Sequence, residues 1–394
     1  MKKDQLRERN KLGTFIIGSI PSYKLLDSIT ENKEELFLFV DFNNNLKGIY
    51  YPKMIEEIYS EYSFKKQFPS ILINEWAKLQ VYFESYLEYC NSKNKKLKKL
   101  HCIYFTEAGD SYYHKSLYNK YKEKRRNNSI QLQPSIASSL GSFENVKEFI
   151  RAFLLSSWKW IKVFSDMSNI LSIRLENLDA DFIPEFLLRE YEIYNDNASY
   201  LILSSDGDML QTLDYANNIY IYDNLNGCII DDKNWLNSKR YLDSSDRTTK
   251  SNNIEIFNEY YTPDKIILYK ALVGDTSDSI PGIKGIGKKG FFNKFISIIP
   301  DDVRADDVDS IFKICKLYEQ DNNICKLILN NKEEFIKMIK LVSFKKVIEW
   351  LRYKEVRNRD IRNQIDKNIN ALRESCYFKK IQREAVEAKE GVVR

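Results

Sequence analysis

The chain has 394 residues, room for one large domain with an appendage or for two domains, and its 43% hydrophobic and 30% charged content is that of a soluble globular protein. Lys and Arg exceed Asp and Glu by 61 − 56 = 5, an excess that points to a partner only where it clusters. Two histidines, His101 and His114, rule out a His-rich zinc site and argue against a Ser-His-Asp relay, so hydrolytic chemistry would rest on the 56 carboxylates.

The six cysteines are scattered with no CxxC pair, the usage of buried thiols in a reducing cytosol rather than of a zinc ribbon or disulfide framework. The opening MKKDQLRERNKLG leads into only a few apolar residues, unlike a secretory leader. The longest apolar runs fall far short of the roughly 20 residues of a membrane span. A cytoplasmic protein without membrane attachment is expected.

Residues 1–35 read as an N-terminal extension. Leu36–Asp41 (LFLFVD) then reads as a buried strand, apolar throughout rather than alternating. Met54–Asn91 carries a helical pattern broken near Pro69, and Leu100–Thr106 (LHCIYFT) is a second buried strand. Asn127–Ser142, rich in Asn, Ser and Gln, reads as an insert over one sheet edge. It precedes an aromatic helix, Phe143–Phe164, with Trp158 and Trp160. Asp181–Ile193 is helical, Ser199–Ser205 and Ile219–Tyr222 are further strands, and the polar Asn237–Asn253 is a surface loop. A helix over Asp264–Leu272, a Gly-rich turn and an all-helical tail from about Ile311 complete the chain. Between Lys345 and Arg383 the tail holds 12 Lys/Arg against five Asp/Glu. Strands alternating with helices predict an α/β fold, an open and mostly parallel sheet flanked by helices.

Several strands end in acid: Asp41, Glu107, and Asp206 with Asp208. In an open parallel sheet the carboxyl ends of the strands line a common crevice. Asp179 and Asp181 precede or open the helix before the third strand, and Asp275 and Asp278 follow the Asp264–Leu272 helix. Taken singly, each is a helix cap or a solvated turn. Taken together, eight carboxylates around one site would repel one another unless cations neutralised them, and oxygen donors without histidine select Mg²⁺ or Mn²⁺.

FVDFNNN (Phe39–Asn45), YYHKSLYNKYKEKR (Tyr112–Arg125), DADFI (Asp179–Ile183), ILSSDGDMLQTL (Ile202–Leu213) and GDTSDSIPGIKGIGKKG (Gly274–Gly290) resemble, in order, the motifs of the structure-specific 5′-nuclease, or flap endonuclease, family. The likeness is nearest to the T-even phage ribonuclease H type and spans roughly residues 36–295. It implies a PIN-like nuclease core over 36–262 with an arch-type insert around 127–175. A helix–three-turn–helix DNA-binding element over 263–300 and a basic helical region over 301–394 would follow. It implies that Asp41, Asp179, Asp181, Asp206, Asp208, Asp275 and Asp278 hold two divalent metals. The sequence departs from the family twice. Thr106 stands where an Asp normally follows the second strand, and Glu107, one position on, is the candidate substitute if a turn reorients it. Phe182 replaces the second Asp of the acidic-Ala-Asp-Asp motif.

Tyr112–Arg126 carries Lys115, Lys120, Lys122, Lys124, Arg125 and Arg126 among four tyrosines, either a solvated basic helix face or a surface neutralising phosphates with tyrosines stacked on an unpaired base. The resemblance favours the second. It implies that Tyr121, Lys122 and Arg125 meet the phosphate at the cut, with Lys115 in place of an upstream family Arg. It also implies that Gly285, Gly287, Lys288 and Lys289 grip duplex backbone, helped by K⁺. Trp158 and Trp160 read as core, against the alternative of an arch. The expected function is cleavage at 5′ ends or flaps of branched DNA, and of RNA primers in RNA–DNA hybrids. A single-strand-binding or other replication protein is the kind of partner the tail would take, and a phage origin implies the host cytoplasm. A catalytically weakened member that binds branched DNA is the alternative; a PIN-type ribonuclease is disfavoured by the Gly274–Gly290 match.

Overall fold

Apolar runs too short for helices pair here into one sheet, whose central strands β1 (Glu35–Asp41) and β4 (Ala198–Leu203) find a hydrophobic layer on both faces. The computed structural model describes residues 20–42, 78–123, 158, 170–190, 193–204, 206–223, 227–234 and 262–352. Six strands, β1 (Glu35–Asp41), β2 (Lys99–Ala108), β3 (Ile170–Glu176), β4 (Ala198–Leu203), β5 (Ile219–Asp223) and β6 (Cys228–Ile230), lie in the order β3-β2-β1-β4-β5-β6. All neighbours are parallel except β5 and β6. The chain therefore fills one side of β1 first and then crosses to the other with β4. The switch point of the sheet lies between β1 and β4, where such folds open a crevice at the carboxyl ends.

The pleat sorts side chains into two layers. Phe37, Phe39, Ile103, Phe105, Ile173 and Leu175 face one, and Leu36, Leu38, Val40, Cys102 and Tyr104 face the other. The second layer is closed by α1 (Tyr23–Thr30) and by the helical residues 78–92. The first layer takes α2 (Tyr112–Leu117), α3 (Ile183–Glu190), α4 (Lys265–Val273) and the C-terminal helices α5 (Val308–Leu317), α6 (Asn323–Asn330), α7 (Lys332–Val342) and α8 (Phe344–Arg352).

Two boundaries and one strand differ from expectation. Residues 1–35 are not all an extension: Ser22 caps α1, Leu26 and Ile29 are buried under the sheet, and Thr30 Oγ1 shares a 2.7 Å hydrogen bond with the Tyr86 hydroxyl. The insert cannot run to 175, because ILSIRLE from Ile170 is the edge strand β3. Its alternation, with Leu171, Ile173 and Leu175 buried and Ser172 and Arg174 half-buried, is the pattern of a strand covered on one face. The short antiparallel β6 was also unforeseen. Trp158 is core, edge-on to Phe42 at 5.5 Å; Trp160, the rest of 127–169, the Asn237–Asn253 loop and the tail beyond 352 lie outside the described residues.

The C-terminal helices are fastened to the helices that flank the sheet rather than appended to the fold. Gln211 receives the Phe344 N–H at 2.8 Å and donates to the Val342 carbonyl at 3.2 Å, clamping the α7–α8 corner. The Tyr113 hydroxyl donates to the Lys340 carbonyl at 3.0 Å.

Candidate metal centre and nucleic-acid interface

The carboxylates reach the switch point through local structure their sequences specify. Asp41 ends β1, and its Oδ2 accepts the Ser204 hydroxyl at 2.7 Å from the end of β4. Ser204 Oγ in turn accepts the Asp206 N–H at 3.1 Å. Asp206 caps the 3₁₀ helix Gly207–Tyr215 by accepting the Asp208 N–H at 3.0 Å, so a capping role and a place in the acidic group coincide. In GDTSDSI, Asp275 and Ile280 exchange backbone hydrogen bonds of 2.9 and 2.8 Å, and Asp275 Oδ1 takes both the N–H and the hydroxyl of Ser277. The turn closes onto α4 because Gly274 and Gly282 hold φ of +96° and +68°, and a Cβ on Gly282 would meet backbone at 2.6 Å.

Asp179 and Asp181 lie between β3 and α3. Asp179 Oδ2 receives the Tyr121 hydroxyl at 2.7 Å and the Lys122 ammonium at 3.0 Å, with His114 Nδ1 at 3.5 Å. The His114 ring stacks on Tyr121 at 4.5 Å. The Lys122 N–H donates to the Asp278 carbonyl at 2.8 Å, which ties the basic segment to the GDTSD turn. Lys270, on α4, pairs with Asp208 and, at 2.8 Å, with Asp275.

At the departure in the second strand, the structure places Glu107 on the face of the other acids. β2 continues through Ala108, so no turn reorients this residue; the pleat alone does. Glu107 shares the face of Ile103 and Phe105, which is also the face of Phe37, Phe39 and Asp41, whereas Thr106 shares that of Tyr104. Glu107 accordingly accepts the Ala180 N–H at 3.4 Å. The missing Asp of DADF is Phe182, buried and edge-on to Phe186, so that position has joined the core.

Burial and crowding set the charge states. Burial raises Asp181 well above its ordinary value, with Glu107, Asp206 and Asp41 adding to it and Lys122 opposing. Burial likewise pushes Asp208 up to about 7 despite Lys270. Burial opposes ionisation of Asp179 too, but Lys122, His114 and Tyr121 outweigh it and bring this carboxyl to about 2. Asp275 is also held below its ordinary value, burial being outweighed by Lys270 and Ser277. His114, desolvated, falls to about 4 and is neutral near pH 7.

Single carboxylate oxygens of Asp208, Asp275 and Asp278 lie within 4.8 Å of one another. An all-oxygen donor set of this density fits Mg²⁺ or Mn²⁺ and offers nothing to a thiolate-seeking metal.

Of the basic residues, Lys122 is in the site. Lys115 is not: its ammonium donates to the Asn119 carbonyl at 3.3 Å, and the neighbour the helix turns toward the acids is His114. Tyr121 is buried with its hydroxyl on Asp179, so it cannot stack on a base; of the four tyrosines only Tyr112 is exposed. Arg125 lies outside the described residues. The loop before Lys288–Gly290 presents Lys284, Gly285, Gly287 and Lys289 to solvent, with Lys288 half-buried. Sequence reasoning missed Lys270 and His114. A lysine one helical turn before an acidic loop was the available signal for the first, and the rarity of histidine for the second.

No family model matches the chain. It is 25% identical over 326 residues to a 5′-3′ exonuclease of Mycoplasmopsis pulmonis, covering 82% of this chain and 86% of that one. It is 27% identical over 263 residues to a 5′-3′ exonuclease of Buchnera aphidicola, covering 64% and 71%. Among solved structures, the T5 D15 protein co-crystallised with metal ions superposes with a TM-score of 0.50 at 14% identity, over 88% of this chain and 98% of that one, a likeness of fold.

Proposed function

We propose that this chain, a member of the 5′-nuclease family, is a divalent-metal-dependent nuclease cutting phosphodiester bonds at 5′ ends or flaps of branched DNA. The observation that carries the reading is the convergence of Asp41, Glu107, Asp179, Asp181, Asp206, Asp208, Asp275 and Asp278 on one switch-point crevice with lysines among them. Two Mg²⁺ ions, replaceable by Mn²⁺, would supply neutralisation of the scissile phosphate and a nucleophilic water at neutral pH.

The chain's own residues divide the remaining work. Asp41, Glu107, Asp179, Asp181 and Asp206 would hold one ion, and Asp208, Asp275 and Asp278 the other. Tyr121 and His114 fix the Asp179 carboxylate from behind. Lys122, its backbone anchored on Asp278, offers a cation at the crevice for the phosphate, and the family resemblance assigns Arg125 the same task. Lys288, Lys289 and the backbone at Gly285 and Gly287 would meet the duplex phosphates, which selects structure over sequence. K⁺ at that loop, RNA primers in RNA–DNA hybrids, a role in replication and repair and a likeness to the T-even phage type belong to the same reading. So do a protein partner for the basic tail and a cytoplasmic location. No helix among the described residues is long and apolar enough to cross a membrane. Thr106 is the ground for the alternative of a weakened, DNA-binding member, and Glu107 on the face of Asp41 supports the active reading over it.

The test is a 5′-labelled flap and a nicked RNA–DNA hybrid, each incubated with Mg²⁺ and with EDTA. Mg²⁺-dependent cleavage that disappears in Asp206→Asn with Asp208→Asn, with duplex binding kept, is expected. No cleavage of either substrate by the unsubstituted chain would overturn the reading.

A further inference from the structure

We infer that Lys270 is a built-in counter-ion that occupies the Asp208–Asp275–Asp278 half of the centre until a divalent ion displaces it, so that this lysine sets the threshold for metal loading. The inference rests on the reading of these acids as metal ligands.

Its ammonium pairs with two of the three carboxylates that could share one ion, Asp208 and Asp275. Those oxygens lie within 4.8 Å of one another, a volume with room for one cation and not for two. Lys270 cannot be an incidental surface pair, because its side chain is only 15% exposed and its backbone is fixed near the end of α4, where its carbonyl accepts the Gly274 N–H at 3.0 Å. Lys122 is placed differently. Its ammonium lies on Asp179, and its backbone is held to the Asp278 carbonyl. Each half of the acidic group thus has its own lysine: Lys122 pairs with Asp179 and feels Asp181 and Glu107, while the Lys270 ammonium bridges two ligands of a single prospective ion. A lysine suits the role because its stem of four carbons can withdraw the charge into the crevice without moving the helix. There it would come to lie beside the bound phosphate.

The experiment is a Mn²⁺ titration followed by electron paramagnetic resonance, without DNA, on the unsubstituted chain and on Lys270→Met. The substituted chain is expected to bind its weaker Mn²⁺ at least tenfold more tightly, a change of about 1.4 kcal/mol. It is also expected to melt lower in EDTA, with Mn²⁺ closing the gap. Unchanged or weaker Mn²⁺ binding would overturn the inference, since that is what a lysine that merely packs, or that shapes the ligands for the metal, would give. Should Lys270→Met fail to fold in EDTA, the reactivity of Lys270 toward a small acid anhydride is measured by mass spectrometry in the unsubstituted chain. A several-fold rise on adding Mn²⁺ supports displacement, and no rise overturns it. A chain that shows this competition yet cuts no flap would end the proposed function alone. One that cuts flaps with unchanged Mn²⁺ affinity in Lys270→Met would end this inference alone.

Discussion

Glu107→Gln separates a strand-borne ligand from a strand-end substitute. The substitution keeps shape, and the amide oxygen can still accept the Ala180 N–H now received at 3.4 Å, so stability should change by less than about 1 kcal/mol. What is lost is one negative charge beside Asp181, Asp206 and Asp41. A unit charge 4 Å from a divalent ion at an effective dielectric of about 20 interacts by several kcal/mol, and water filling the gap returns part of it. A net loss on the order of 2–4 kcal/mol lowers metal affinity by about 30-fold to about 1,000-fold. Cleavage at limiting Mg²⁺ should fall in parallel and recover partly at high Mg²⁺. Thr106→Asp should not help, because residue 106 points into the layer of Tyr104 and Val40, where an unpaired carboxylate destabilises the fold. The assay is flap cleavage against Mg²⁺ concentration beside Mn²⁺ binding. A Glu107→Gln chain indistinguishable from the parent, with Thr106→Asp more active, would refute the strand-face argument.

Much of this was legible because acidic residues at strand ends and the GDTSD turn are local signals. The parallel sheet followed from LFLFVD and SYLILSS, apolar on both faces. β3 was missed because ILSIRLE is an edge strand, whose alternation is weaker than a buried run and was absorbed into the preceding aromatic segment. Lys115 was singled out by its match to a family Arg, and helix phase over six residues, which decides which neighbour faces the acids, is not visible in a sequence; the fold buries His114 and leaves Lys115 half-buried. Tyr121 carried an aromatic signal that fits base stacking equally well, and only its burial against Asp179 decides otherwise. The role of α7 and α8 as a wall of the site, through Leu341, Val342, Phe344 and Val347, depends on the Gln211 clamp across 133 positions, which no spacing announces.

Lys288→Ala with Lys289→Ala should weaken duplex binding about equally across sequences, each lost phosphate contact removing about 0.9 from the log–log salt slope; an unchanged slope would take this loop off the DNA backbone. Gly282→Ala should cost on the order of 3 kcal/mol in denaturant unfolding, since φ is +68° and the new Cβ meets backbone at 2.6 Å; a cost under about 0.5 kcal/mol would mean the turn relaxes freely. The last prediction concerns pH. Asp208, raised to about 7, and Asp181, also raised, hold protons below neutrality that a metal must expel, so affinity should fall as pH drops. Asp179 at about 2 is charged throughout that range and His114 at about 4 is neutral, so neither adds a slope. Mn²⁺ affinity should therefore lose about tenfold per pH unit for the Asp208 proton below about pH 7, with the Asp181 proton adding to the slope. Calorimetry in two buffers of different ionisation heat should find at least about one proton released near pH 6 and fewer near pH 8, where Asp208 is already ionised. Asp208→Asn should flatten part of that slope while weakening binding at every pH. An affinity independent of pH across this range would show that the acids of the crevice are already ionised without metal, with the two lysines supplying all the neutralisation the fold requires.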